Sequence, residues 1–240
     1  MAGITAWKAG RIRDARRIWD LDDQSPKWRA RGDAYITALT YPDPARNESS
    51  ETVLADDPSI RDLSWLTILA AQRGDFAAAE RWLAQGRTAA ETMAAEAEEE
   101  WQRILPGAFS DAVHGYVAIG RGEVASGAAE LSDALARMAE VGVGGWTHQV
   151  LRFELGKALL ELDRPQEAAG YFSTFNHFDA GVPVQAWLYL GHAYAAMGED
   201  QEAREYYELF VKAWSDCDPE LEPLRSEAEA ALQGLQQVAD

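Results

Sequence analysis

The sequence predicts an all-α protein built from a run of helix–turn–helix pairs. Three observations carry this. Ala, Leu, Glu, Arg and Gln fill long blocks, runs of Val, Ile and Thr are scarce, and no segment alternates apolar and polar residues as a half-buried strand would. Gly74-Asp75, Gly122-Glu123 and Gly198-Glu199 each set a glycine between two apolar-periodic blocks, which marks a tight turn between helices. Ser25-Pro26, Asp57-Pro58 and Asp218-Pro219 each place a capping residue before a proline, which suits a helix start.

In chain order, residues 1–22 hold Gly10, Ala15 and Trp19, spaced as the turn glycine, small contact residue and aromatic of a second helix. About nine residues precede Gly10, too few for a full first helix. The chain is therefore expected to open inside a repeat, as a shortened gene product or a piece of a longer protein would. Residues 26–40, with Trp28 to Leu39, read as one more helix, and Pro42 to Ser50 as a loop. Repeats are expected over about 58–104, 107–141, 147–176 and 183–215, and a capping helix over 219–238. That last helix places Leu221, Leu224, Ala228, Ala231 and Leu235 on one side.

The clearest copy is Trp187-Leu-Tyr-Leu190-Gly191-His-Ala-Tyr194, followed by Gly198, Ala203 and Tyr207. The copy before it has Leu155-Gly156, Leu159, Ala168, Phe172 and Phe175. Weaker copies hold Gly115, Ala118, Gly122, Gly127 and Leu131, and before them Leu63, Leu66, Ala70, Gly74, Ala79 and Leu83. A glycine at 191 lets the second helix approach closely, and Ala203 sits at the contact point where a larger side chain would push the pair apart. From Ala168 to Ala203 is 35 residues; the earlier spacings, Ala79 to Gly127 and Gly127 to Ala168, are 48 and 41. An extended second helix through Glu91–Trp101 accounts for the first excess, and the Gly142–Gly145 connection for the second.

This pattern resembles the tetratricopeptide repeat family, whose signature runs W-x2-L-G-x2-Y, then a small residue, then an aromatic, with a period of about 34. The tail from Tyr206 to Pro223 is similar to the ends of repeat arrays attached to some bacterial serine/threonine kinases and transcriptional regulators, although the chain has no kinase motif and no winged helix. The resemblance implies a right-handed superhelical solenoid with a concave groove, lined by the first helix of each pair, that binds peptides or partner helices. By helical phase the groove candidates are Tyr116, Phe153, Lys157, Gln185, Leu188 and His192. Chaperone-binding members hold a terminal carboxylate with several Lys, Arg and Asn residues. Here those phases carry Ser64 and Ile68, Ala112 and Tyr116, Phe153 and Lys157, Leu188 and His192, a single lysine, so chaperone tails are not the expected ligand.

Charge narrows the partners. The 240 residues carry 40 Asp and Glu against 22 Lys and Arg, a formal net charge of −18. Nucleic-acid and anionic-membrane binding both draw on basic residues, so neither is expected. The acidity suits a solvated surface or a basic partner. No stretch reaches 18 uninterrupted apolar residues and the N-terminus lacks a secretory apolar core, so a cytoplasm-like setting is expected. The single cysteine, Cys217, cannot form an intramolecular disulfide, and Asp216 and Asp218 beside it disfavour a thiolate.

Nothing in the sequence asks for a cofactor. His114, His148, His177 and His192 form no H-x3-H pair and adjoin no paired cysteine, so no metal site is expected. Gly142-Val-Gly-Gly145 lacks the lysine and preceding strand of a phosphate loop, and Glu96 to Glu100 reads as a solvated helix face. The function expected is non-catalytic protein binding, with self-assembly or an enzyme on a helical scaffold as alternatives; His148, His177 and a carboxylate converging would favour the enzyme. Ile12, Ile18 and Trp19 need covering, either by the segment Trp28–Leu39 folding back or by self-association through the partial repeat.

Overall fold

The computed structural model describes residues 2–20, 25–41, 43–142, 145–175 and 182–238. Among the described residues the chain is helical throughout, with thirteen α-helices, one short 3-10 turn and no strand. No helix among them is long and apolar enough to cross a membrane.

Two compact units form. One comprises residues Met1–Asp23 and Leu159–Asp240, the other Gln24–Ala158. In the second unit lie α3 (Pro26–Leu39), α4 (Pro44–Ala55), α5 (Ile60–Gln72), α6 (Phe76–Ala95), α7 (Glu100–Gly120) and α8 (Val124–Glu140), and from α4 onward each packs on the helix before it. Helix α9 (Trp146–Glu161) carries the boundary between the units. In the first unit lie α1 (Ala2–Lys8), α2 (Ile12–Asp20), α10 (Pro165–Ser173), α11 (Val182–Met197), α12 (Asp200–Ala213) and α13 (Glu222–Val238).

One local device recurs five times. At Gly10, Gly74, Gly122, Asp163 and Gly198 the backbone takes a positive φ that reverses the chain. The N–H of that residue donates three residues back, and the next N–H donates five residues back: Gly198 to Ala195 and Glu199 to Tyr194 in the last copy, with all ten bonds between 2.8 and 3.1 Å. Asp163, at φ 57°, does without glycine because a short polar side chain tolerates the left-handed region. Five residues beyond each turn comes a small residue, Ala15, Ala79, Gly127, Ala168 or Ala203. Its N–H closes the first bond of the second helix, and the four alanines are wholly buried.

The small residues set how closely the helices approach. A Cβ on Gly191 of α11 would lie 2.5 Å from the Tyr207 ring on α12. The position equivalent to Gly115 and Gly191 in the α5–α6 pair is Thr67, 1% exposed, whose hydroxyl bonds back to the Leu63 carbonyl.

Several expectations are corrected. The loop expected over Pro42 to Ser50 is helical from Pro44 on, Pro42 lying outside the described residues: Pro44 opens α4, Asp43 caps it by accepting from the Arg46 N–H at 3.2 Å, and buried Asn47 accepts from the Thr37 hydroxyl at 2.9 Å. Helix α6 stops at Ala95 rather than running to Trp101, because α7 begins at Glu100. The long spacing therefore comes from a 20-residue α6 followed by a 21-residue α7. Glu96, Glu98 and Glu99 are exposed, but in the turn between these helices rather than on a helix face. Asp57 caps nothing; Ser59 caps α5, in a reciprocal capping box with Asp62.

Helix α3 packs on α4 and α5 within its own unit. The α1–α2 turn rests against the segment that follows α12: the Asp218 N–H donates to the Gly10 carbonyl at 2.9 Å, and the Asp218 carboxylate accepts from the Arg13 N–H at 2.9 Å. Asp218 thus caps α2, a helix distant in sequence, while the Arg13 guanidinium pairs with Glu220. Trp7 and Ile12 are fully buried; Ile18 and Trp19 are half-buried, with Trp19 edge-on to Trp7 at 5.9 Å.

Candidate binding site

The six groove candidates divide by burial. Tyr116 (6% exposed), Phe153 (5%), Gln185 (3%) and Leu188 (1%) are interior residues, so they do not offer a ligand surface. For Tyr116, Gln185 and Leu188 the reason lies in their neighbours: α7 packs against α5, α6 and α8, and α11 against α10 and α12, so the faces left over after one partner is assigned are covered by the others. Burial pushes the Tyr116 hydroxyl far above its ordinary value, the charge of Glu154 adding to the effect.

Lys157 and His192 keep partial exposure. Lys157 pairs with Glu154 at 2.9 Å on its own helix. His192 links a buried tyrosine to an exposed carboxylate: Nδ1 lies 2.8 Å from the Tyr207 hydroxyl and Nε2 3.2 Å from a Glu227 carboxylate oxygen. Burial holds the imidazole below its ordinary value against the opposing pull of Glu227, and it pushes Tyr207 up to about 12, helped by the same carboxylate. Tyr207 is 2% exposed, so its hydroxyl is shielded from solvent while the three side chains tie α11, α12 and α13 together.

The Gln24–Ala158 unit holds a cavity of about 460 Å³. Helix α3 contributes Trp28 and Arg31; α5 contributes Ile60, Arg61, Ser64 and Trp65; α6 contributes Met93. Helix α7 contributes Leu105, Pro106 and Phe109, and the start of α9 contributes Gly145, Trp146, Thr147 and His148. Pro106 lies inside α7, nearly two turns beyond its start, where it removes one helical N–H and puts a rigid apolar ring on the wall.

A ladder of aromatic rings holds the wall in place. Trp28 meets Trp146 edge-on at 5.2 Å; Trp146 stacks on Tyr35 at 5.4 Å and 5°; Tyr35 meets Trp65 at 6.3 Å. The Tyr35 hydroxyl donates to Gln149, fixing α3 to α9. Such contacts add about 0.5–1.5 kcal/mol each beyond area burial.

The polar part of the lining is anchored from behind. Arg31 Nε donates to Asp62 at 2.7 Å, and Asp62, fully buried, also accepts from the Ser59 N–H at 3.0 Å and hydroxyl at 2.7 Å. Burial raises the Asp62 carboxyl, but the Arg31 and Ser59 hydrogen bonds outweigh it and hold the group below its ordinary value. Ser64 donates to the Ile60 carbonyl at 3.0 Å. Arg61 is exposed and makes no ion pair among the described residues.

Of the residues singled out for chemistry, His148 reaches this cavity, and no Asp, Glu or Cys lines it. His177 lies outside the described residues. No group of three His, Cys, Asp or Glu side chains able to hold a metal occurs among the described residues. Burial, then the charge of Glu222, raise the Cys217 thiol. Comparison with protein-family models, curated proteins and solved structures finds no match to this chain.

Proposed function

We propose that this chain is a non-catalytic scaffold of tetratricopeptide-type helical hairpins that binds a peptide or helix of a partner protein. The observation that supports this reading is the fivefold recurrence of one turn, followed each time at the same interval by a small contact residue. Sequence invested in repeated packing leaves function to the surface between the repeats. Two large apolar side chains flank the α6–α7 turn in the open, Met93 at 48% and Trp101 at 50% exposure. Exposed tryptophan and methionine are enriched where proteins bind one another. A chain of net charge −18 suits a partner with basic residues around an apolar anchor.

The test is selection of a random peptide library on the full chain. Enrichment of peptides with a shared apolar-and-basic motif is expected. Trp101→Ser should weaken their binding about tenfold or more, at an unchanged melting temperature, because truncating a hot-spot tryptophan costs about 2 kcal/mol or more. A selection yielding no motif would sink the reading.

A further inference from the structure

The cavity carries an inference beyond partner binding. Its volume, about 460 Å³, lies within the roughly 300–1,000 Å³ range of small-ligand sites. Its walls are mainly aromatic and aliphatic. In a chain with 40 acidic and 22 basic residues, this lining holds two arginines, one histidine and no carboxylate. Arg31 is committed to buried Asp62, whereas Arg61 makes no ion pair among the described residues. A peptide backbone would bring several amides into the cavity, but Ser64 is already bonded to Ile60 and Arg31 to Asp62. Unpaired amides in an apolar site are costly. A compact ligand with an apolar body and one anionic group leaves no such debt.

We propose that this cavity binds a small amphipathic carboxylate, its apolar body held against Trp28, Phe109 and Trp146 and its carboxylate held by Arg61. Guanidinium recognises carboxylate through two parallel N–H bonds, and the aromatic walls lower the dielectric around the pair. The cavity shares Met93 with the surface proposed for the protein partner, whereas Trp101 lies outside its lining.

The test follows tryptophan fluorescence of the full chain, since Trp28, Trp65 and Trp146 line the cavity. The probes are 4-phenylbutyrate and its uncharged amide, which share one apolar body. The carboxylate is expected to bind about tenfold more tightly than the amide, the scale of one charge-assisted hydrogen bond. Arg61→Gln should bring the two affinities together by weakening only the carboxylate, and Arg61→Lys should restore part of the preference. Leu105→Trp, which fills the cavity from its rim, should abolish binding of both while the melting temperature holds. Equal affinities in the parent chain, a preference that survives Arg61→Gln, or no binding of either probe would overturn the proposal. Failure here alongside successful peptide selection would leave the scaffold reading standing.

Discussion

Gly115 of α7 and Gly127 of α8 face one another so closely that neither has room for a side chain. A Cβ on Gly115 would sit 2.8 Å from the Gly127 carbonyl oxygen, and a Cβ on Gly127 would sit 2.7 Å from the Gly115 carbonyl oxygen. Both obstacles are backbone, which cannot swing away as a flexible side chain can. Alanine at either position should therefore destabilise the protein by about 1–3 kcal/mol from overpacking, despite its better helix propensity. Gly107→Ala in α7 and Gly170→Ala in α10 meet nothing within 4 Å and should be neutral or stabilising by up to about 1 kcal/mol. Urea denaturation of the four variants separates the cases; equal effects would refute the close approach.

The Asp218 cap on α2 should report the docking of the N-terminal hairpin. Replacing Asp218 with alanine removes the acceptor for the Arg13 N–H and should cost about 1 kcal/mol. Gly10→Ala should cost more, because Gly10 has a φ of 71° and a Cβ there would fall 2.6 Å from the Cys217 Cβ. Trp19→Glu should lower the melting temperature of a particle of unchanged mass, since this hairpin finds its cover within the chain. Mass measurement by light scattering checks this: a loss of mass on substitution would point to a covering partner copy instead.

Asp62 should give the Gln24–Ala158 unit an acid-sensitive component. Its folded value lies below the ordinary 3.8, so the folded state holds the carboxylate more firmly than the unfolded chain does. The resulting stability is complete above the unfolded value and disappears as pH falls through the lower folded one. Asp62→Ala should cost about 3 kcal/mol at neutral pH, because it strands Arg31 and removes the Ser59 partner. Thermal melts of both proteins from pH 7 down to pH 2 should run parallel above about pH 4 and draw together below it; curves that stay parallel to the acid end would contradict the assignment.

His192 acts in a different window. Its folded value is held below 6.5, so just below that pH the unfolded chain binds the proton more readily. Its contribution is present above the unfolded value and declines as pH falls below it. His192→Gln should flatten the stability profile between about pH 5 and pH 6.5, and Tyr207→Phe should keep most of the slope. Hydrogen exchange read on α11 and α12 would locate the effect; a profile unchanged by His192→Gln would refute it.

What the sequence by itself determined is local. Gly10, Gly74, Gly122 and Gly198 mark turns, and Ala15, Ala79, Gly127, Ala168 and Ala203 follow each turn, Asp163 included, at a fixed offset, because a helical reversal closes its hydrogen bonds within about six residues. The cap at Ser25 is legible for the same reason. Helix α4 was not, since its polar sequence forms no apolar stripe and it is held by the Asp43 cap, by Asn47 meeting Thr37 and by buried Leu54. The surface was less legible still. Tyr116, Gln185 and Leu188 lie on helices whose remaining faces are covered by further neighbours, and only the tertiary structure places those neighbours. The cavity gathers Trp28, Arg61, Phe109 and Trp146 from four helices spread over more than a hundred residues. A periodic pattern tells each helix which side to bury against its next partner. It does not say which side chains from distant helices will meet, because that depends on crossing angles and distances set by all the contacts at once.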